Sequence, residues 1–350
     1  MPELLIHDFL NRASQAPVID VRSPGEYSRG HIPGAVNLPL FTTGERAIVG
    51  TIYKQTGRDE AILKGLEIVG PKMAAMVKQA RYIAIDNQVL VHCWRGGMRS
   101  GSVAWLLNTA GIAASTLKGG YKAYRKHILS VFNQPLKLIL LGGETGSGKT
   151  PYLQALRRRG EQVIDLEALA SHKGSSFGAI GEPEQPTDEH FLNLLAAEWM
   201  KVDPEKVLWL EDESHRIGAI RLPEELWKQM KEAPMLRVIV PKEVRIQNLV
   251  SMYGSLDHRK LAEGILRIQK RLGGLDAKEA LLALDNGDLS TTADILLRYY
   301  DKSYVNLLSR KDNTSITTLP LSGTNIDQDV KCMLEAFQRI LENRRNNDSN

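Results

Sequence analysis

The feature that most restricts the fold is an apolar run, Leu136–Leu141, that leads straight into Gly143-Glu144-Thr145-Gly146-Ser147-Gly148-Lys149-Thr150 and then into helical spacing. A buried strand feeding a glycine-rich loop and a helix is a unit of a parallel α/β sheet. The glycines let successive amides point at phosphate oxygens, Lys149 offers a point charge, and Thr150 can ligate Mg²⁺. Gly143, Gly146, Ser147, Gly148, Lys149 and Thr150 are therefore the candidate phosphate or diphosphate site. Pro151 falls in the first helical turn, where its missing N–H costs nothing.

A second strand–loop–helix lies upstream. The run Val89-Leu90-Val91 passes into His92-Cys93-Trp94-Arg95-Gly96-Gly97-Met98-Arg99-Ser100, after which Val103, Leu106, Leu107 and Ala110 recur as one helical face. Such a loop wraps backbone N–H groups around the sulfur, and the helix start adds its positive dipole end. Both effects, with Arg99 nearby, favour thiolate over thiol. Cys93, Arg95 and Arg99 are the candidate catalytic group, and Trp94 a candidate substrate contact. Core packing alone does not explain Gly96, Gly97 and Arg99 together.

A chain of 350 residues is long enough for two such domains, each with its own core. A helix over 122–135 ending at Asn133-Gln134-Pro135 predicts a division into residues 1–130 and 131–350, the second part holding a helical region at 242–300. The net charge of +4 permits a polyanionic partner without arguing for one, so any nucleic-acid surface must come from local clustering. The only cysteines, Cys93 and Cys332, exclude a disulfide framework and fit a reducing cytoplasm; Cys332 lies in a helical pattern and reads as a core residue. No apolar run reaches membrane-spanning length, so no membrane partner is expected.

Further candidates follow in order. Asp20 and Arg22, at the end of a short strand, read as structural partners, and His31 as a loop-fixing residue. Val163-Ile164-Asp165 reads as a strand with Asp165 at its carboxyl end, where α/β sheets bind ligands. The run Val207–Glu213 ends in acids, so that Glu211 or Asp212 could orient a metal-bound water; Asp212 is the candidate second Mg²⁺ ligand. Met235–Val240 and Ile316–Pro320 read as further strands. The Gly- and Ser-rich loop Ser171–Pro186 contains His172, Lys173 and Phe177 and reads either as a substrate lid or as a flexible insertion. Between 242 and 300, Lys260, Arg267 and Arg271 fall within about 20° of one helical line, apart from Leu261, Ile265, Ile268 and Leu272. That stripe is either a nucleic-acid phosphate-backbone contact or a solvated face, and the same holds for Arg157-Arg158-Arg159. The tail Glu342–Asn350 is polar and expected to fray.

The stretch "VIDVRSPGEYSRGHIPGAVNLP", the Cys93 loop and Leu117-Lys118-Gly119-Gly120-Tyr121 resemble, in that order, a rhodanese domain over about residues 4–128. Cys93 and Arg99 are separated by one residue more than single-step sulfurtransferases usually have, a spacing that is also the signature of cysteine phosphatases. Together with "GETGSGKT", "HKGSSFG" and "WLEDESHRIG", nearly the whole chain resembles the bacterial tRNA 2-selenouridine synthase family. The resemblance implies an α/β fold with an N-terminal rhodanese-like domain and a C-terminal P-loop NTPase-like domain with additional helices. It implies conversion of wobble 2-thiouridine, in the tRNAs for Lys, Glu and Gln, to 2-selenouridine through an S-geranyl intermediate. Geranyl diphosphate and selenophosphate would be substrates, a selenophosphate synthetase the source of the latter, Mg²⁺ a candidate ion, and no bound organic cofactor is expected. On this reading the Walker loop holds the diphosphate, Cys93 attacks the selenium of selenophosphate and carries it as a perselenide, and Trp94 packs on the prenyl chain or a base. The alternative is a rhodanese-fold cysteine phosphatase regulated by a nucleotide-binding P-loop domain.

Overall fold

The structure, a computed structural model, describes residues 2–309 and 316–348. The chain forms two compact units: Met1–Val131 with Thr187–Ala197, and Phe132–Pro186 with Glu198–Asn350. The segment Thr187–Ala197 thus belongs with the N-terminal unit, which no single cut near residue 130 can express. Its reason is local. Within that unit Arg125 donates to the Glu189 carbonyl (3.0 Å) and to Asn193 Oδ1 (2.6 Å), while Asn193 donates to the His31 carbonyl and the Tyr121 hydroxyl, each at 2.7 Å.

In the N-terminal unit the strands are β1 (Glu3–Leu4), β2 (Val18–Asp20), β3 (Val36–Asn37), β4 (Gln88–His92) and β5 (Ala113–Leu117), arranged β1–β5–β4–β2–β3 and all parallel. Strands β2 and β4 are buried almost throughout, which explains why they read as apolar runs and not as alternating ones. Their register sets Asp20 beside His92, so Cys93 follows directly at the carboxyl edge of the central strand. The core beneath that edge holds Ile19, Val89, Val91, Val103, Leu107 and Ile112.

In the second unit, β6 (Lys137–Gly143), β7 (Gln162–Ile164) and β8 (Val207–Glu211) are followed by a small antiparallel pair, β9 (Arg216–Ile217) and β10 (Ile220–Arg221), then by β11 (Met235–Ile239) and β12 (Ile316–Pro320). The main sheet runs β12–β11–β6–β8–β7, all parallel, with the Walker loop leaving its central strand. Trp209, Leu141, Leu236 and Phe337 occupy its core, with Cys332 partly buried against them. Four helices, Lys242–Tyr253, His258–Leu272, Gly274–Asp285 and Leu289–Leu308, fill the region read as helical and bury a separate apolar cluster.

Three details refine or correct the sequence reading. Asp165 stands directly after β7 at its carboxyl end, one residue beyond the strand, and caps the helix Leu166–Ala170, its carboxylate accepting the Ala168 N–H at 2.7 Å. The loop 171–186 is no free flap, because Phe177 and Ile180 are buried with Leu261 and Ile265 in the helical cluster. Finally, the backbone of the expected frayed tail is helical through Asp348, within Ile326–Asp348; residues 349 and 350 lie outside the described residues.

Candidate active site

The Cys93 loop is assembled backbone to backbone. Gly96, at φ +66°, lies against the backbone of Leu117, Gly119 and Gly120, and a Cβ there would come within 2.5 Å of the Leu117 carbonyl. Gly120, at φ +59°, leaves as little room beside the Cys93 carbonyl. The Tyr121 and Lys122 amides then donate to the Cys93 and Trp94 carbonyls at 2.8 and 2.9 Å. This is why the Cys loop and Leu117–Tyr121 occur together in the sequence: each needs the other's missing side chains.

Cys93 is buried, with its Sγ 3.2 Å from the Ser100 hydroxyl at the start of the helix Met98–Thr109. Burial raises its pKa, but the Ser100 side chain, the Ser100 and Arg95 amides and the Arg99 charge outweigh burial and hold the thiol below its ordinary value. The sequence reading assigned that task to backbone N–H groups and the helix start, with Arg99 nearby. In the structure the Ser100 hydroxyl comes first, followed by the Ser100 and Arg95 amides and then Arg99. Arg95 itself is exposed and acts through its N–H. Arg99 forms a two-pronged pair with Glu26 (2.9 and 3.3 Å). Glu26 in turn accepts from the Ser23 amide and hydroxyl at 3.1 Å, and although burial opposes its ionisation, Arg99 and Ser23 keep its carboxyl below its ordinary value. Glu26 was missed in the sequence; its only signal was its place in the Ser23-Pro24-Gly25-Glu26 capping box. Trp94, 36% exposed, packs at 5.7 Å from Tyr121.

Beneath the loop, Arg22 donates to both Asp20 oxygens and to the Gly30 carbonyl and covers the Tyr121 ring at 3.7 Å, with both charged side chains fully buried. They are structural partners. His31 donates from Nδ1 to the Tyr27 carbonyl (3.0 Å) and stacks on its ring, fixing that loop. His92, completely buried, has its pKa pushed down to about 4 by burial and stands neutral behind the nucleophile.

In the second unit the Walker loop is held from outside. Gly146 (φ +82°) touches the Arg245 backbone, Asn248 donates to its carbonyl at 2.9 Å, and Arg245 donates to the Thr145 carbonyl while paired with Asp301 at 2.7 and 2.8 Å. Glu144 is paired with Arg237. Lys149 Nζ lies 3.3 Å from the Gly143 carbonyl, the place a phosphate would compete for. A cavity of about 1280 Å³ opens over this loop, and Lys149, Thr150, Asp165, His172, Lys173 and Asp212 all line it. The sequence therefore brought these candidates to one place. Gly148 caps the helix Lys149–Arg158 in the left-handed conformation, and Ser147 is buried at the loop's base.

Glu211 does not belong with them. It is fully buried and accepts the Leu166 amide at 2.8 Å, so it fixes a helix start instead of meeting a substrate; burial first, then Asp165 and Glu167, push its pKa well up. The carboxylates at the cavity that the sequence reading missed are Glu167 and Glu213. They hydrogen-bond to each other near Lys149, and both close on Gly174, where a Cβ would meet their oxygens at 2.6 and 2.8 Å. Burial, then the Glu167 charge, pushes Glu213 up to about 8. Lys173 is neutralised by Glu182 at 2.5 Å.

On the helix His258–Leu272, Lys260, Arg267 and Arg271 are exposed while Leu261, Ile265, Ile268 and Leu272 are buried, as the periodicity predicts. Arg267 is engaged by the Ser176 carbonyl at 2.9 Å. Of the other basic run, Arg157 and Arg159 serve the Val163 and Asp327 carbonyls.

Residues 5–127 match the rhodanese-like domain family, and residues 136–319 match the tRNA 2-selenouridine synthase AAA domain family. The chain is 34% identical over 330 residues to the tRNA 2-selenouridine synthase of Psychromonas ingrahamii, covering 85% of this chain and 89% of that one. It is 35% identical over 350 residues to the enzyme of that name from Bdellovibrio bacteriovorus (85% and 90%), and 34% over 336 residues to that of Shewanella sediminis (86% and 90%). With two anion cradles of the expected kinds in the expected order, and relatives matched over nearly their full length, the chain belongs to the tRNA 2-selenouridine synthase family.

Proposed function

We propose that this enzyme converts wobble 2-thiouridine in tRNA to 2-selenouridine in two steps, each run by one anion cradle. The observation that carries the proposal is that the chain builds two such cradles in separate units: a thiolate-stabilising one at Cys93 and a Walker-type one at Gly143–Thr150. A thiocarbonyl sulfur is a poor leaving group at C2, and alkylation turns it into a thiolate that can depart. In the first step the 2-thiouridine sulfur bonds to C1 of geranyl diphosphate, the carbon–oxygen bond breaks onto the diphosphate, and the N3 proton is lost. The Walker amides and Lys149 neutralise the leaving charge. Thr150 and Asp212 line the same cavity and would hold a Mg²⁺, which supplies further charge neutralisation at the diphosphate. Among the described residues no three His, Cys, Asp or Glu side chains converge as metal ligands, so an ion there depends on the donor's oxygens.

Electron counting refines the second step. Thiolate attack on the selenium of selenophosphate, as a perselenide carrier requires, would leave phosphorus with the bonding pair, at the phosphite level. The balanced route has selenium bond to C2 while the C2–S bond breaks and geranyl thiolate leaves. Cys93 thiolate then attacks phosphorus, the Se–P bond breaks onto selenium, N3 regains a proton, and water releases phosphate from the cysteine. The extra residue in the Cys93 loop suits a phosphate-sized group, so the phosphatase-like spacing becomes part of the reaction. A stand-alone phosphatase controlled by a nucleotide is set aside by family membership.

The resemblance supports the tRNAs for Lys, Glu and Gln as substrates and a selenophosphate synthetase as donor source. The lowered thiol fits a reducing, cytoplasmic setting. No helix among the described residues is long and apolar enough to cross a membrane. The test incubates 2-thiouridine tRNA with geranyl diphosphate and selenophosphate, reads wobble nucleosides by mass spectrometry and phosphorus products by ³¹P NMR. Wild type yields 2-selenouridine and phosphate. Cys93→Ser retains S-geranylation and stops before 2-selenouridine. Loss of geranylation in a folded Cys93→Ser protein contradicts the division of labour, and phosphite as product restores the perselenide.

A further inference from the structure

Beside the Walker-loop cavity lies a second, smaller one of about 70 Å³, lined by Phe177, Val250, Ile265, Leu284, Ala293 and neighbouring apolar side chains. The two cavities share Thr145 of the Walker loop and Ser175, Leu249, Tyr253 and Tyr300, so the apolar one opens beside the phosphate cradle. Its aromatic wall is fixed. Phe177 packs edge-on to Tyr253 and to Tyr300 at 6.4 Å, and its ring presses on Gly264, where a Cβ would come within 2.4 Å of it. Gly264 thus leaves the room in which loop 171–186 seats its phenyl ring on the helix His258–Leu272. A purine or ribose in this chamber would lose its water partners to a lining that is almost wholly hydrocarbon, whereas an aliphatic chain gains by burial.

We propose that this chamber takes the far end of the hydrocarbon chain of a prenyl diphosphate whose diphosphate lies in the Walker loop, and so sets the preferred chain length. The proposal rests on the prenyl-donor reading above and adds the site and its selectivity. The chamber is small, so it receives the terminal branched unit while the rest of the chain crosses the larger cavity. One loop serves both cavities: Phe177 lines the apolar chamber, while His172 and Lys173 line the phosphate side.

The test measures calorimetric binding of inorganic pyrophosphate, dimethylallyl diphosphate and geranyl diphosphate to the full chain. Wild type should prefer geranyl over dimethylallyl diphosphate by about 10²-fold or more, from burying five further carbons. Ala293→Phe and Val250→Phe, which fill the chamber from two different helices, should erase most of that preference and leave pyrophosphate affinity within about twofold. An unchanged preference in variants that still bind pyrophosphate overturns the chamber while leaving the donor reading intact. Geranyl diphosphate bound no more tightly than pyrophosphate by wild type overturns both. A geranyl diphosphate tipped with a photoreactive diazirine reads the wild type directly: labelling of peptides containing Phe177, Ile265 or Ala293 supports the chamber, and labelling confined to other peptides refutes it.

Discussion

Glu213 and Cys93 are opposite answers to burial. At Cys93, Ser100 and a ring of amides overcome burial and favour the anion; at Glu213 a second carboxylate adds to it and favours the neutral form. Below about pH 8 Glu213 is protonated and Lys149 faces the diphosphate with less competing negative charge. As pH rises through about 8, Glu213 ionises and geranyl diphosphate affinity should fall, by roughly tenfold for one added charge at this range. Glu213→Gln should hold the low-pH affinity to higher pH. A titration in which Glu213→Gln and wild type decline together would assign the effect to another group.

Among the elements, the basic stripe of His258–Leu272 carries its own test. Lys260 and Arg271 are exposed on His258–Leu272, whereas Arg267 is committed to the Ser176 carbonyl. If the first two contact tRNA phosphates, the double variant Lys260→Ala/Arg271→Ala should lower the slope of log affinity against log salt by about 2, equally for different tRNAs. An unchanged slope returns the stripe to a solvated face. What the sequence disclosed at this scale was whatever is local: the two strand–loop–helix units, the strand at Ile316–Pro320 and the apolar stripe Leu261–Leu272 all follow from short-range periodicity. What it hid depends on residues far apart in the chain. Glu26 meets Arg99 across 73 positions, Glu167 meets Glu213 only because β7 and β8 are neighbours, and Thr187–Ala197 joins the first unit through Arg125 and Tyr121. Glu211 misled for the same reason. An acid at a strand end looks catalytic until the Leu166 amide that it serves is seen.

The whole molecule divides its work between two anion sites: a charged cradle for the leaving diphosphate, and a thiolate cradle for the phosphate that leaves selenium. Each is built in its own unit from backbone amides made accessible by glycine, with one basic side chain nearby. The most direct measurement supplies the Lys149→Ala enzyme with two tRNAs, one carrying 2-thiouridine and one already carrying S-geranyl-2-thiouridine, and counts the 2-selenouridine formed. With the first, geranylation and hence selenation should drop by about 10²–10³-fold, the usual effect of losing one preorganised charge stabiliser. With the second, selenation should remain within a few fold of wild type, because the prenyl thiolate leaves without a diphosphate. An equally deep loss with the pre-geranylated tRNA would show that Lys149 serves both steps, and the division between the cradles would be wrong.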